Sequence, residues 1–144
     1  MWPGLHPASA GNVVTGAGFS MANHGTFEGR IRVEWLDEDH RRMMLLEPIS
    51  YTDPDGVIWR VPAGYVTDGA SIPQPLWGVT GGPFEGAHRK AAVFHDWYCC
   101  QQPSDRTSIQ THRMFYFACR AAGLGPIRAW IRWASVRVFG PRWG

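Results

Sequence analysis

The chain has 144 residues, 44% hydrophobic and 18% charged, which suits one domain with a buried core and excludes a highly charged disordered tail. A net charge of +2 makes no bulk case for nucleic acid. The charge is unevenly spread, however. Residues 106–144 hold seven Arg and no acid, whereas residues 1–105 hold seven basic and twelve acidic residues, an asymmetry that suits an anionic partner for the C-terminal part.

The first 24 residues are rich in Gly, Ala, Ser and Asn without hydrophobic periodicity and read as a flexible N-terminal arm. Residues 25–144 read as a single α+β domain. Within it, residues 26–35 alternate, with Phe27, Ile31, Val33 and Trp35 on one face and charges opposite, as in a half-buried strand. Residues 42–46 predict a second strand. Residues 49–52 lead into Asp53-Pro54-Asp55-Gly56, a turn signal, and residues 57–61 predict the strand that follows it. Three or four strands thus form a small antiparallel sheet. Residues 67–84 are too rich in Gly and Pro for a long element, with room for a short helix near Pro75.

Three helices follow and should form a layer on the sheet. The first spans 85–101. The second spans 106–122, with Asp105 as its N-cap, a buried stripe of Met114, Phe115 and Ala118, and Gly123 as its stop. The third runs from Pro126 to Phe139. Its apolar positions Ile127, Trp130, Ile131, Ala134 and Val138 predict the face turned to the core. The same helix is basic, so docking on an anionic or protein partner is the alternative use of that face.

Three cysteines, Cys99, Cys100 and Cys119, without a CxxC pair predict reduced thiols packed in the interior. The N-terminus lacks a signal-peptide pattern, and no apolar run is long enough to span a bilayer.

Two segments carry candidate chemistry. In residues 67–73, Asp68 and Ser71 sit on a small polar loop after a strand, where an Asx-turn is the plain alternative. In residues 91–96, His95 and Asp96 end an apolar helical run, where ionisable side chains seldom stand without a partner. His88 lies two helical turns before His95, too far to share an ion easily, and is a candidate substrate contact together with Ser71. If the first two helices form an antiparallel hairpin, His112 can face His95, and Asp68, His95 and His112 would supply the three ligands of a zinc site. A solvent-facing His112 and a His95 bonded to backbone are the alternatives.

The stretch Val61-Pro62-Ala63-Gly64-Tyr65-Val66-Thr67-Asp68-Gly69-Ala70-Ser71-Ile72-Pro73 resembles the hallmark of a phage and bacterial family known as domain of unknown function 1353. Lys90-Ala91-Ala92-Val93-Phe94-His95-Asp96-Trp97-Tyr98 and Val136-Arg137-Val138-Phe139-Gly140 extend the resemblance over residues 25–140. It implies an α+β fold and a phage or prophage setting, inside the infected host or carried in the virion. Family members often carry Asp where His112 stands here.

Two functions follow as expectations. One is a metal-dependent hydrolase of peptidoglycan or another amide. There zinc on Asp68, His95 and His112 would activate water, with Asp96 or Asp68 in a catalytic role. The other is a non-enzymatic virion, tail or assembly component in which the Asp-His cluster is a structural staple. The partners are then the cell wall or other phage proteins, respectively. An all-helical metal phosphohydrolase is a poor third, because the chain opens with strands.

Overall fold

The structure, a computed structural model, describes residues 23–39, 42–67 and 89–144. Six short strands precede three helices: β1 (Thr26–Glu28), β2 (Val33–Trp35), β3 (Met43–Leu45), β4 (Ile49–Thr52), β5 (Ile58–Val61), β6 (Val66–Thr67), α1 (Arg89–Gln101), α2 (Ser108–Ala121) and α3 (Pro126–Phe139). This is the α+β order expected.

The strands divide into two antiparallel sheets of three, β1-β4-β5 and β2-β3-β6. The expected single strand over residues 26–35 is therefore two strands in different sheets. Gly29 divides them, at φ +95°, a backbone conformation that residues with a Cβ rarely adopt. A Cβ there would also lie 3.0 Å from the Pro48 carbonyl oxygen. β1 pairs with β4 through Phe27 and Tyr51, while β2 pairs with β3 through Glu34 and Met44.

Asp53 builds the β4–β5 hairpin. One carboxylate oxygen accepts from the Asp55 and Val57 amides, and the other accepts from the buried indole N–H of Trp59 at 3.0 Å. Gly56 takes the turn position at φ +85°. The hairpin then presents Tyr51, Trp59 and Val61 to a core that continues into Val93, Phe94 and Tyr98 of α1 and Met114, Phe115 and Ala118 of α2.

The helices are α-hairpin neighbours, α1 on α2 and α2 on α3. Asp105 does not cap α2. Thr107 does, accepting from the Gln110 amide, while the Gln110 side chain accepts from the Thr107 amide. This capping box starts the helix two residues later than the sequence suggests, since reciprocal bonds satisfy two end amides and Asp105 satisfies none.

The larger correction concerns α3. Its buried residues are Ala129, Arg132 and Val136, not the apolar positions expected. Ile127 is 75% exposed, Trp130 57% and Val138 61%. Small side chains allow close approach between helices, and α2 offers the fully buried Ala118 and Cys119. Ala129 and Val136 of α3 join the core with these two residues, and Arg132 is buried on the same face.

After Gly140 the chain turns back over the start of α2. Trp143 accepts the Ser108 amide at 3.0 Å and donates its indole N–H to the Arg106 carbonyl at 2.7 Å.

Candidate functional site

His95 and Asp96 are adjacent on α1 and therefore lie about 100° apart around its axis. The two side chains serve different neighbours. Asp96 accepts a hydrogen bond from the Thr67 hydroxyl at the end of β6, and both residues are buried. The two motif-bearing segments of the chain are thus joined through this bond. Tyr65, next to it, has its phenol held well above the ordinary tyrosine range, first by burial and then by the Asp96 charge.

His95 turns inward to α2. Its Nε2 lies 2.9 Å from Nδ1 of His112, so the expected meeting of the two histidines across the α1–α2 hairpin is present. His112 Nε2 lies 3.2 Å from the Pro141 carbonyl oxygen. The tautomers follow from this chain of contacts. A carbonyl only accepts, so His112 Nε2 carries the proton. His112 Nδ1 then accepts, and His95 donates from Nε2.

Both rings are almost wholly buried. Burial lowers the pKa of His95 to about 3, with the neighbouring His112 adding to the shift. His112 is lowered too, chiefly by burial and further by Arg137 and Arg142, against the raising effect of the Pro141 carbonyl. The pair is neutral at ordinary pH. Phe115 packs against the His95 ring at 4.6 Å between centroids.

The third member was assigned to core packing by the sequence. Cys99 lies one turn after His95 on α1, and its Sγ is 3.5 Å from Nε2 and 3.7 Å from Nδ1. The near-equality of these distances places the sulfur against the ring rather than on one lone pair. Burial, with Asp96 and Cys100 adding to it, holds its thiol far above the usual cysteine range. The i, i+4 spacing of His95 and Cys99 was the signal that could have identified it.

His95, Cys99 and His112 place one donor atom each within 4.8 Å of one another. Their chemistry suits zinc, which takes imidazole nitrogen and thiolate sulfur. The spacing is less suited. Two nitrogens bound to one tetrahedral zinc stand ~3.3 Å apart, wider than the 2.9 Å seen, which is the length of an N–H···N bond. An ion would replace the His95 proton and take that of Cys99. The seclusion of both rings resembles closed structural sites more than catalytic ones with an open position.

Of the other sequence candidates, Asp68, Ser71 and His88 lie outside the described residues. Asp96 does not join the His95–Cys99–His112 group.

Residues 43–136 match the family described as Protein of unknown function (DUF1353). The chain belongs to this family. It is 42% identical over 120 residues to the uncharacterized protein y4jT of Sinorhizobium fredii (strain NBRC 101917 / NGR234), covering 83% of this chain and 35% of that protein. It is 38% identical over 125 residues to the uncharacterized protein y4iH of the same strain, covering 87% of this chain and 52% of that one. The DUF1353 chain thus spans about a third and about half of these two relatives. No solved structure matches it.

Proposed function

We propose that this DUF1353 chain is a non-enzymatic docking module, a virion, tail or assembly component of a phage or prophage. The observation that carries this reading is the orientation of α3. An apolar face with Ile127, Trp130 and Val138 is turned outward, and contiguous exposed apolar surface of that kind marks interaction sites. The His95–His112 pair supports it, being a satisfied clasp between α1, α2 and the C-terminal turn. The staple expected between Asp68 and His95 falls outside the described residues; here His112 is the partner of His95. The test is particle association. After prophage induction in cells that encode the chain, it should band with particles on a density gradient; recovery only in the soluble fraction would count against the reading.

A second reading, a metal-dependent hydrolase of peptidoglycan or another amide, is favoured by one observation, the convergence of His95, Cys99 and His112. In it zinc sits on those three residues. Elemental analysis and dye release from labelled cell wall separate the two. Stoichiometric zinc with wall hydrolysis supports the hydrolase; hydrolysis lost on His112→Ala would establish it and displace the docking module.

A further inference from the structure

The outward face of α3 is patterned. At about 100° per residue, Ile127, Ile131, Ala134 and Val138 fall within a sector of about 60°, opposite the buried Ala129, Arg132 and Val136. Ile127 and Val138, both exposed, stand near the two ends of this stripe, about 16 Å apart along the axis. The exposed Phe139 extends it at the C-terminal end. Trp130 borders the stripe on one side with Arg137 just beyond it, and Arg128 borders it on the other. Neither of these arginines forms a salt bridge among the described residues. No carboxylate occurs anywhere in residues 106–144. On the Trp130 side a groove of about 350 Å³ carries the surface onto α2, where Ile109, Arg113 and Tyr116 stand beside Trp130, Trp133 and Arg137.

An apolar line with a cation along each edge and an indole at its border matches a surface that is apolar within and anionic at its boundary. We infer that α3, with the adjoining edge of α2, seats on an anionic lipid surface with its axis parallel to the membrane. Ile127, Ile131 and Val138 then enter the acyl boundary, as the apolar side of an interfacial helix does. Arg128 and Arg137 stay level with the lipid phosphates on either side, their stems lying along the apolar stripe. Trp130 occupies the headgroup level between them, where indoles are enriched. The buried side of the helix is already fixed to α2, so the surface is ordered before it meets lipid and loses little freedom on binding.

Other occupants fit less well. Nucleic acid would suit the arginines and tryptophans, but Ile127 and Val138 offer no ring on which a base can stack. A second copy of the stripe would bring the same arginines to the same seam with no carboxylate of α2 or α3 between them, and like charges across an interface are costly. A bilayer meets both edges of the stripe at once, because its phosphates lie all around the inserted side chains. This inference rests on the outward α3 face that carries the docking-module reading and names its partner as an anionic bilayer.

The test is flotation of the full chain with vesicles of phosphatidylglycerol and phosphatidylcholine, set against vesicles of phosphatidylcholine alone. The chain should float with the anionic vesicles and bind the neutral ones at least ~10-fold more weakly. Raised salt should weaken the binding, because the edge charges are exposed. Ile127→Glu, an exposed substitution within the stripe, should lower it at least ~10-fold. Arg128→Gln should lower it about fivefold, the weight of one cation near an anionic surface. Leu46→Glu puts the same new charge at an exposed position of the strand half and should stay within about twofold of the wild type, since a charge away from the contact is screened. Circular dichroism confirms that the variants fold. A wild-type chain that stays unbound to anionic vesicles at low salt would overturn the inference, as would equal losses in Ile127→Glu and Leu46→Glu. So would self-association in sedimentation velocity without flotation, which would assign the face to a second copy. Particle association of the chain is read separately. A chain that bands with particles and ignores vesicles removes the membrane and leaves the docking module standing. Vesicle binding without particle association does the reverse.

Discussion

Protonating His95 would put a positive charge in a buried site, and protonating His112, whose Nδ1 accepts from His95, would replace a donor–acceptor contact with a donor–donor one. The consequence for stability has a definite sign. The unfolded chain takes up protons at its histidines near pH 6.5, whereas folded His95 resists them down to about 3. Below pH 6.5 the unfolded state binds more protons, so stability falls as pH falls. It is full above that value and is lost progressively toward the folded pKa, by ~1.4 kcal/mol per pH unit for each histidine held neutral. Denaturant titrations between pH 8 and pH 5, above the carboxylate range, should show this slope. His24 is also lowered, by burial and Arg120, so the variant His95→Gln isolates the contribution of the pair: its slope should be shallower. An equal slope would place the effect elsewhere. Gly140 is a second residue with a physical role in the site. A Cβ there would lie 2.4 Å from the Val136 carbonyl oxygen and 3.1 Å from Cε1 of His112, both of which hold the C-terminal turn. Gly140→Ala should therefore cost about 1–3 kcal/mol, the range for overpacking, measured as a shift of the denaturation midpoint at constant slope.

At the scale of elements, α2 and α3 make opposite demands on the reader of their sequence. In α2 the expected stripe of Met114, Phe115 and Ala118 is buried, and His112 joins it. The start of the helix is decided by chemistry that was readable, Thr107 and Gln110 at the capping-box spacing. Thr107→Ala should cost ~1 kcal/mol of stability, while Asp105→Ala, at a residue the cap does not use, should stay within ~0.5 kcal/mol. In α3 the pattern misleads. Ile127→Lys should change stability by less than ~0.5 kcal/mol, and Val136→Ala should cost about 1–3 kcal/mol through the cavity it leaves. The reverse order in thermal melts would restore the face suggested by the sequence. Arg132 lies on the buried side of this helix, with its Nε and one Nη lacking a hydrogen-bond partner. Burial lowers its pKa, Cys119 opposes that shift and Arg128 adds to it. Replacing an unsatisfied buried polar group by an apolar one of similar shape is neutral or stabilising, so Arg132→Met should hold or raise the melting temperature. A marked fall would show that the guanidinium has a partner.

For the whole molecule, charge is uneven along the chain: residues 106–144 hold seven Arg and no acid. Among the described residues Arg113 of this part pairs with Asp55 of the strand half, an exposed pair that adds little to stability. The zinc reading bears on the same scale. An ion held by His95, Cys99 and His112 would tie α1 to α2 and stabilise the fold by mass action. Adding zinc to the purified chain should then raise its melting temperature, and His112→Ala should abolish the rise. With no rise in the wild type, the pair is the metal-free clasp that its 2.9 Å spacing describes.

Much of this was settled locally. Turn chemistry around Asp53 and Gly56, the strand-then-helix order, the stop at Gly123 and the adjacency of His95 and Asp96 are properties of short segments, whose backbone preferences act wherever the segment lies. The hairpin made by a short link between α1 and α2 was also enough to bring His112 toward His95. Three matters were not local. Gly29 allows a turn, but only the partners of each strand decide that β1 and β2 enter different sheets. Cys99 carries the right spacing, but whether a thiol packs or ligates depends on what approaches it from α2. The face that α3 buries depends on how closely α2 can approach it. Periodicity sums the apolarity of side chains along one helix; burial is decided by the shape of two surfaces together, and Ala129 and Val136 join Ala118 and Cys119 in the core while larger apolar side chains are left to solvent.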